Sequence, residues 1–275
     1  MLEKFKYINH LGETLEFGKS PLFVNENDLR DFSWDVTKKN NKISGFSKGI
    51  VSKTIPIILK AETKDEAKRM KNRLFEVFEK DVLAEKYGRI VVGDYYLKCY
   101  VVDSSKSEYL LNECFMAIDL KIQTDLPNWV RDTSYKIRMT ESNEGKEFLD
   151  YPHGTPFDYM VSLGISEVNN PAVIASDWSM MIYGATVNPS IIIGNHEYSF
   201  NISIGNSEYL TVDSKAKTIV LTKVNGEKIN CFNSRNKDAY VFEKIPPGIN
   251  VVASANEGIK FDITLFEERS EPEWI

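Results

Sequence analysis

Histidine and cysteine are scarce in this chain, with three of each among 275 residues. His10, His153 and His196 stand far apart, and none has a second histidine at metal-ligand spacing, which argues against a zinc site. Cys99, Cys114 and Cys231 form no CxxC pair. An odd count of this kind suggests free thiols kept reduced, filling space as small buried hydrophobes. No phosphate-binding GxxxxGK[ST] loop is present, and Gly12, Gly18, Gly45 and Gly49 do not assemble into a dinucleotide fingerprint. The 40 acidic residues include many carboxylate neighbours, but no pair stands out as a hydrolytic acid and base. The expectation is therefore no enzyme, no cofactor, no metal and no catalytic residue.

Two further absences narrow the partners. No stretch approaches the run of about 20 apolar residues that spans a bilayer, and the opening MLEKFKYINHLGETLEF lacks the apolar core of a signal peptide. A formal net charge of -6 lacks the basic excess that a general nucleic-acid binder needs to displace phosphate counterions. Neither a membrane nor a sequence-specific nucleic acid is expected as a partner.

What is present is strand pattern. Leu2 to Ile8 alternates, a turn follows at His10 to Glu13, and Thr14 to Phe17 resumes. Leu29, Phe32, Trp34 and Val36 mark a strand-like stretch from Asp28 to Thr37. Ile50 to Leu59 is the next strand, with Pro56 indicating an edge or a bulge. Between them, Lys38 to Gly49 is a long polar arm. One helix is clear: Thr63-Lys64-Asp65-Glu66 fits a capping box, and Ala67, Met70, Leu74, Val77, Phe78 and Val82 recur at helical spacing. Mixed acids and bases on its other face read as a solvated surface. Strands return at Arg89 to Val92, Tyr95 to Asp103 and Phe115 to Gln123, with Gly93-Asp94 as a turn.

A polar, weakly patterned segment from Arg131 to Gly154 marks a boundary, placing domains at 1–138 and 139–275. The second is nearly all strand: Trp178 to Tyr183, Ile191 to Ile193, Tyr198 to Ile204, Tyr209 to Val212, Thr218 to Val224, Glu227 to Phe232, Tyr240 to Phe242, Ile249 to Ser254 and Lys260 to Phe266. Asn225-Gly226 signals a two-residue hairpin with both central positions at positive φ. Asn195-His196-Glu197 reads as a strand-end turn rather than a metal or acid-base pair. Short strands between regular turns make a sandwich or barrel. The fold class is mainly β with one amphipathic helix.

Several stretches resemble the distal tail proteins of long-tailed bacteriophages. Phe148 to Tyr159 (FLDYPHGTPFDY) resembles the opening of that family's C-terminal domain. Tyr183 to Gly194 (YGATVNPSIIIG) is similar to its strand, glycine, Asn-Pro, strand pattern. Tyr209 to Asp213 with Lys217 to Val220 looks like its central hairpin, and the ending fits through Ile245 to Asn250, Phe261 to Phe266, Arg269 and Trp274. The resemblance implies an N-terminal β-rich ring-forming domain and a C-terminal galectin-like β-sandwich. It implies a homo-oligomer, usually a hexameric ring, at the virion tail tip, made in the bacterial host cytoplasm. Its partners would be the tail tube protein, the tail-tip protein and a receptor-binding protein. The competing reading is a carbohydrate-binding module, since such sandwiches often bind sugars; against it, Trp178 sits within an apolar run and reads as core.

Three residues are candidates for the oligomer interface. The polar arm buries little of its own and so is expected to lie on a neighbouring subunit, with Ile43 and Phe46 as its apolar anchors. Trp274, a large ring beyond the last strand, is expected to dock on its own domain or on a neighbour.

Overall fold

The structure, a computed structural model, describes residues 4–109, 112–139 and 166–274. The stretch Phe148 to Tyr159, His153 with it, lies outside the described residues. The chain divides into two compact units, Met1–Arg131 with Glu268–Ile275, and Asp132–Glu267. The end of the chain thus belongs to the first unit, whereas a division at 138/139 assigns it to the second.

The first unit contains strands β1 (Phe5–Ile8), β2 (Thr14–Phe17), β3 (Leu22–Val24), β4 (Asp35–Lys39), β5 (Lys42–Ser47) and β6 (Val51–Lys60). Helix α1 (Lys64–Leu83) follows, then β7 (Gly88–Val92), β8 (Tyr95–Ser107), β9 (Phe115–Thr124) and the start of β10 (Trp129–Arg138). The strands form two antiparallel ladders, β2-β1-β7-β8 and β3-β6-β9-β8. The long strand β8 belongs to both. Its first half pairs with β7, its second half pairs with β9, and the register shifts between Val101 and Asp103. An irregularity of this kind bends a strand from one sheet into another. Alternate residues of the two ladders, among them Phe5, Tyr7, Ile55, Ile57, Leu97, Ile118 and Leu120, meet in one core with Trp129.

Pro56 lies inside β6, at the position opposite Asn25, just past the end of β3. There its carbonyl accepts from the Asn25 amide at 3.0 Å, and the return donor that proline lacks is not needed by a further ladder rung. Lys53 falls on the inward face of the same strand and is buried. Its ammonium donates to the carbonyls of Asp28, at 2.8 Å, and Asp31. Burial pulls its pKa below the usual lysine value, against the opposing pull of Asp28 and Asp31.

Helix α1 starts as the capping box requires, with the Glu66 amide donating to the Thr63 hydroxyl at 3.2 Å. The Glu66 carboxylate reaches back one residue further than expected, accepting from the Glu62 amide at 2.9 Å rather than from Thr63. Ala67, Leu74, Val77 and Phe78 are buried, but Val82 is exposed. The residue that continues the buried stripe is Asp81. Its carboxylate accepts from the Tyr7 hydroxyl at 2.6 Å, the His10 amide at 2.8 Å and the His10 Nδ1 at 2.5 Å. A buried carboxylate needs such partners, and these three tie the β1–β2 turn to the end of the helix. Gly88 passes directly beside this cluster: a Cβ there would stand 2.1 Å from the Tyr7 hydroxyl and 2.3 Å from Asp81.

The second unit contains the rest of β10, then β11 (Ser166–Asn170), β12 (Asp177–Tyr183), β13 (Thr186–Val187), β14 (Ser190–Ile193), β15 (His196–Ser199) and β16 (Ser203–Ile204). It continues with β17 (Tyr209–Asp213), β18 (Thr218–Thr222), β19 (Lys228–Asn230), β20 (Gly248–Ser254) and β21 (Lys260–Arg269). One sheet runs β19-β18-β17-β12-β21 and a second runs β11-β20-β14-β15. Inward residues of both, including Trp178, Ile191, Tyr198, Val252 and Phe261, form one core. Alternation explains this: Trp178, Met180 and Ile182 of β12 are buried, while the residues between them are half-buried.

Three readings of this unit need correction. Tyr198 to Ile204 is not one strand: β15 ends at Ser199, Phe200 makes only an isolated bridge to Arg235, and β16 begins at Ser203. Tyr240 to Phe242 is not a strand. It is a turn in which Phe242 is buried and stacks with Phe232 at 5.9 Å, so its apolar run reflects core filling rather than ladder pairing. Asn225-Gly226 does not place both central residues at positive φ. Only Gly226 does, at 84°, and the Gly226 amide donates to the Lys223 carbonyl at 2.9 Å. The result is a three-residue loop, a type I turn followed by a left-handed glycine.

The last residues pack on the first unit. Arg269 pairs with Glu273 at 2.8 Å, and the guanidinium of Arg30 lies 4.1 Å over the Trp274 ring while donating to the carbonyls of Pro272, at 3.0 Å, and Glu273, at 3.3 Å.

These contacts make two predictions. Gly88→Ala forces a methyl group against two buried partners, so it should cost about 1–3 kcal/mol or more, read as a lowered denaturation midpoint by circular dichroism; an unchanged midpoint contradicts the packing. Arg30→Ala removes a cation–π contact of about 0.5–2 kcal/mol together with two hydrogen bonds. Since about 1.4 kcal/mol is tenfold in an equilibrium, tryptic release of the residues after Arg269 should accelerate by about tenfold or more, followed by mass spectrometry. An unchanged release rate would show that Arg30 does not hold the tail.

Candidate assembly interface

Among the described residues, both histidines are held by hydrogen bonds. His10 is bound to Asp81. His196 sits at the start of β15, opposite Ile193 across the turn at Gly194 and Asn195, and its Nε2 lies 2.9 Å from the Tyr240 carbonyl. Among the described residues, no group of three or more His, Cys, Asp or Glu is arranged to hold a metal, and no helix is long and apolar enough to cross a membrane. Cys99 is fully buried, which pushes its thiol up to about 12. Asp262 is held below the usual carboxylate range: burial opposes its charge, but the Tyr183 hydroxyl at 2.8 Å and Arg138 at 2.7 Å outweigh it. Trp178 is wholly buried, and its indole donates to the Glu243 carbonyl at 2.7 Å, so its ring offers no platform for a sugar.

The feature left unexplained by the core is the segment expected as a polar arm. It is not unstructured on its own, as its composition suggested. β4 and β5 pair with each other into a two-stranded ribbon that, among the described residues, joins no other sheet. The strand begins at Asp35, later than expected, because Leu29 is buried within a preceding turn and Phe32 stands exposed before the ladder starts. The turn between the strands is Asn40-Asn41, with φ of 51° and 57°. Asparagine tolerates the left-handed region better than other side-chain-bearing residues, and a two-residue turn with both φ positive matches the twist of the flanking strands.

The ladder then decides which side chains share a face. Val36 lies opposite Phe46 and Thr37 opposite Gly45, but Lys38 lies opposite Ile43, leaving Ser44 as the extra residue of a bulge. The Ser44 hydroxyl donates to the Thr37 carbonyl at 3.1 Å and fixes the bulge. In a regular strand Ile43 and Phe46, three residues apart, would point to opposite faces. With the bulge, Ile43 comes opposite Lys38, two residues on from Val36, and so joins the face of Val36 and Phe46. Trp34 completes that face, its ring 6.5 Å from Phe46 and nearly perpendicular to it. Ile43 is 60% exposed and Phe46 62%.

The foot of the ribbon is fixed. The Lys48 ammonium lies 4.4 Å over the Trp34 ring and donates to Asn128 Oδ1 at 2.7 Å and Ser270 Oγ at 2.9 Å. Burial lowers its pKa, Glu268 opposes that fall, and Lys53 adds to it. Of the three residues expected at an interface, Ile43 and Phe46 thus share one apolar face. Trp274 is separate: it lies on Arg30 of its own unit, with 75% of its surface still exposed. Trp34 and Val36 were not among the expected interface residues. Their signal was the i, i+2 spacing of two apolar side chains directly before the arm.

No family model matches this sequence, and no curated protein matches it. Solved structures do. The Dit (gp 19.1) protein of SPP1, described as a paradigm of hub adsorption apparatus in Gram-positive infecting phages, aligns at a TM-score of 0.61 and 10% identity over 96% of this chain and 99% of that one. A chain of the phage P2 baseplate in its activated conformation with Ca aligns at 0.64 and 13%, over 99% of this chain and 100% of that one. A chain of the phage p2 baseplate with Sr aligns at 0.57 and 13%, over 98% and 99%. At these identities the likeness is one of architecture, and over nearly its whole length this chain has the fold of the phage Dit hub protein.

Proposed function

We propose that this protein is a structural hub of a phage tail tip or baseplate. In this reading the first unit closes into a ring, a hexamer by the family resemblance, that joins the tail tube protein to the tail-tip and receptor-binding proteins. The second unit faces outward as a galectin-like sandwich. The protein acts in the virion, after synthesis in the host cytoplasm, and carries out no catalysis. The whole-length likeness to hub and baseplate proteins supports this reading.

One observation carries the assembly part of it. The ribbon β4–β5 presents Trp34, Val36, Ile43 and Phe46 on one side, from a foot held by Lys48. A two-stranded ribbon cannot cover its own side chains, and a fixed foot lowers the entropy lost when it binds. Covering one such side chain with a neighbour contributes roughly 1.5–3 kcal/mol, and a closed ring repeats the contact at every junction.

Ile43→Asp combined with Phe46→Asp should leave a folded monomer. Light scattering should show the loss of the ring mass, and circular dichroism an unchanged strand and helix signal. A double variant that still assembles at wild-type mass would remove the ribbon from the junction.

A further inference from the structure

Lysines of the first unit differ in what they touch. Lys80 meets the Glu13 carboxylate, Lys64 meets Glu113, and Lys53 meets backbone carbonyls. Lys48 instead meets a side-chain amide. Its ammonium donates to Asn128 Oδ1 at 2.7 Å and to Ser270 Oγ at 2.9 Å, beside the Trp34 ring at 4.4 Å. The amide is held from its other end as well, because Asn128 Nδ2 donates to Glu268 Oε2 at 2.8 Å. Lys48, Asn128 and Glu268 are all half-buried and all belong to the first unit. Amine, carboxamide and carboxylate thus stand in a row.

We propose that Lys48 and Asn128 join in an intramolecular isopeptide bond, with Glu268 carrying the proton. The Lys48 Nζ, as the neutral amine, attacks Asn128 Cγ, the atom next to the oxygen it already touches. A new N–C bond forms, the Cγ–Nδ2 bond breaks, and Nδ2 leaves as ammonia. Glu268 takes the proton that the amine gives up and delivers it to Nδ2, the atom it already touches. Amine and carboxamide become a secondary amide and ammonia, so no oxidant, reductant or cofactor is required. Each chain reacts once, which makes this a self-modification without turnover. Folding supplies the proximity: three residues far apart in sequence are held in contact, so a slow encounter becomes a positioned one. Burial favours the neutral amine by lowering the Lys48 pKa, with Glu268 opposing and Lys53 adding to the fall. The bond has a mechanical consequence. The β6–β9 ladder ends where Val51 lies opposite Thr124. From that end Lys48 leads back to the ribbon and Asn128 leads on to β10. A link between them staples the ladder at the point where the ribbon leaves it, so a pull on the ribbon falls on a covalent bond. This holds for a single chain, whether or not copies assemble.

The test is the intact mass of the purified full chain, followed by tandem mass spectrometry of its tryptic digest. We expect a mass one ammonia below that of the sequence. The digest should contain a branched peptide joining residues 43–53 to 122–131 through Lys48 and Asn128. Lys48→Arg and Asn128→Ala should each keep the full mass, with an unchanged circular dichroism spectrum. Glu268→Gln should fold, and its crosslinked fraction should fall by about tenfold or more. A wild-type chain that keeps its full mass after prolonged incubation overturns the proposal. Loss of ammonia without the branched peptide, as a succinimide at Asn225-Gly226 would give, overturns it too. Loss of water with the link on Glu268 overturns Asn128 as the acyl donor. An undiminished crosslink in Glu268→Gln overturns the role of that carboxylate.

Discussion

A two-stranded ribbon has no interior, so apolar side chains placed on it must be covered by something else. The rest of the first unit obeys the opposite rule. Its ladders meet around one core, and Phe5, Tyr7, Ile57, Leu97 and Ile118 are almost wholly removed from water. Against that background Ile43 and Phe46 stand out, because they sit on an ordered ladder and still face solvent. An unfolded loop with the same residues would carry less meaning. Here the Asn40-Asn41 turn, the Ser44 bulge and the Lys48 foot all fix the direction in which the face points.

The foot also connects the ribbon to the end of the chain. Lys48 reaches Ser270, and Arg30, which precedes the ribbon, holds Pro272, Glu273 and Trp274. The tail thus returns to the first unit and lies against the segments from which the ribbon emerges. Trp274 contributes there through its π-face on a guanidinium, a contact that leaves most of the ring in water. A docked tail of this kind orders the base of the arm before any partner arrives, which reduces the ordering cost at assembly.

The sequence carries much of this fold where one local signal suffices. The capping box at Thr63 and the apolar spacing after it locate α1, alternation locates β1, and apolar runs between turn signals locate β6, β12 and β21. Signals fail where two principles compete. Asp81 lies at helical spacing after Val77 and Phe78, yet its charge hides that it is buried; only the distant Tyr7 and His10 make that burial affordable. Asn225-Gly226 carries the stronger two-residue hairpin signal, while the plainer Asn40-Asn41 makes such a turn. Loop length decides between them: strand pairing resumes at Lys39 and Lys42 around the asparagines, but the Lys223 amide closes on Glu227 around Val224, Asn225 and Gly226. The face shared by Ile43 and Phe46 is not legible in the sequence, because their spacing of three predicts opposite faces until the Ser44 bulge is known.

At 10–13% identity to the SPP1 and P2 chains, the architecture is shared while most aligned residues differ. The proposed assembly requires the apolar ribbon face to be covered by another copy. Electron cryo-microscopy of the purified full-length protein tests this most directly. The account predicts closed rings in which each β4–β5 ribbon lies on the adjacent copy with Phe46 buried. Monomers alone, or rings whose ribbons project into solvent, would contradict it.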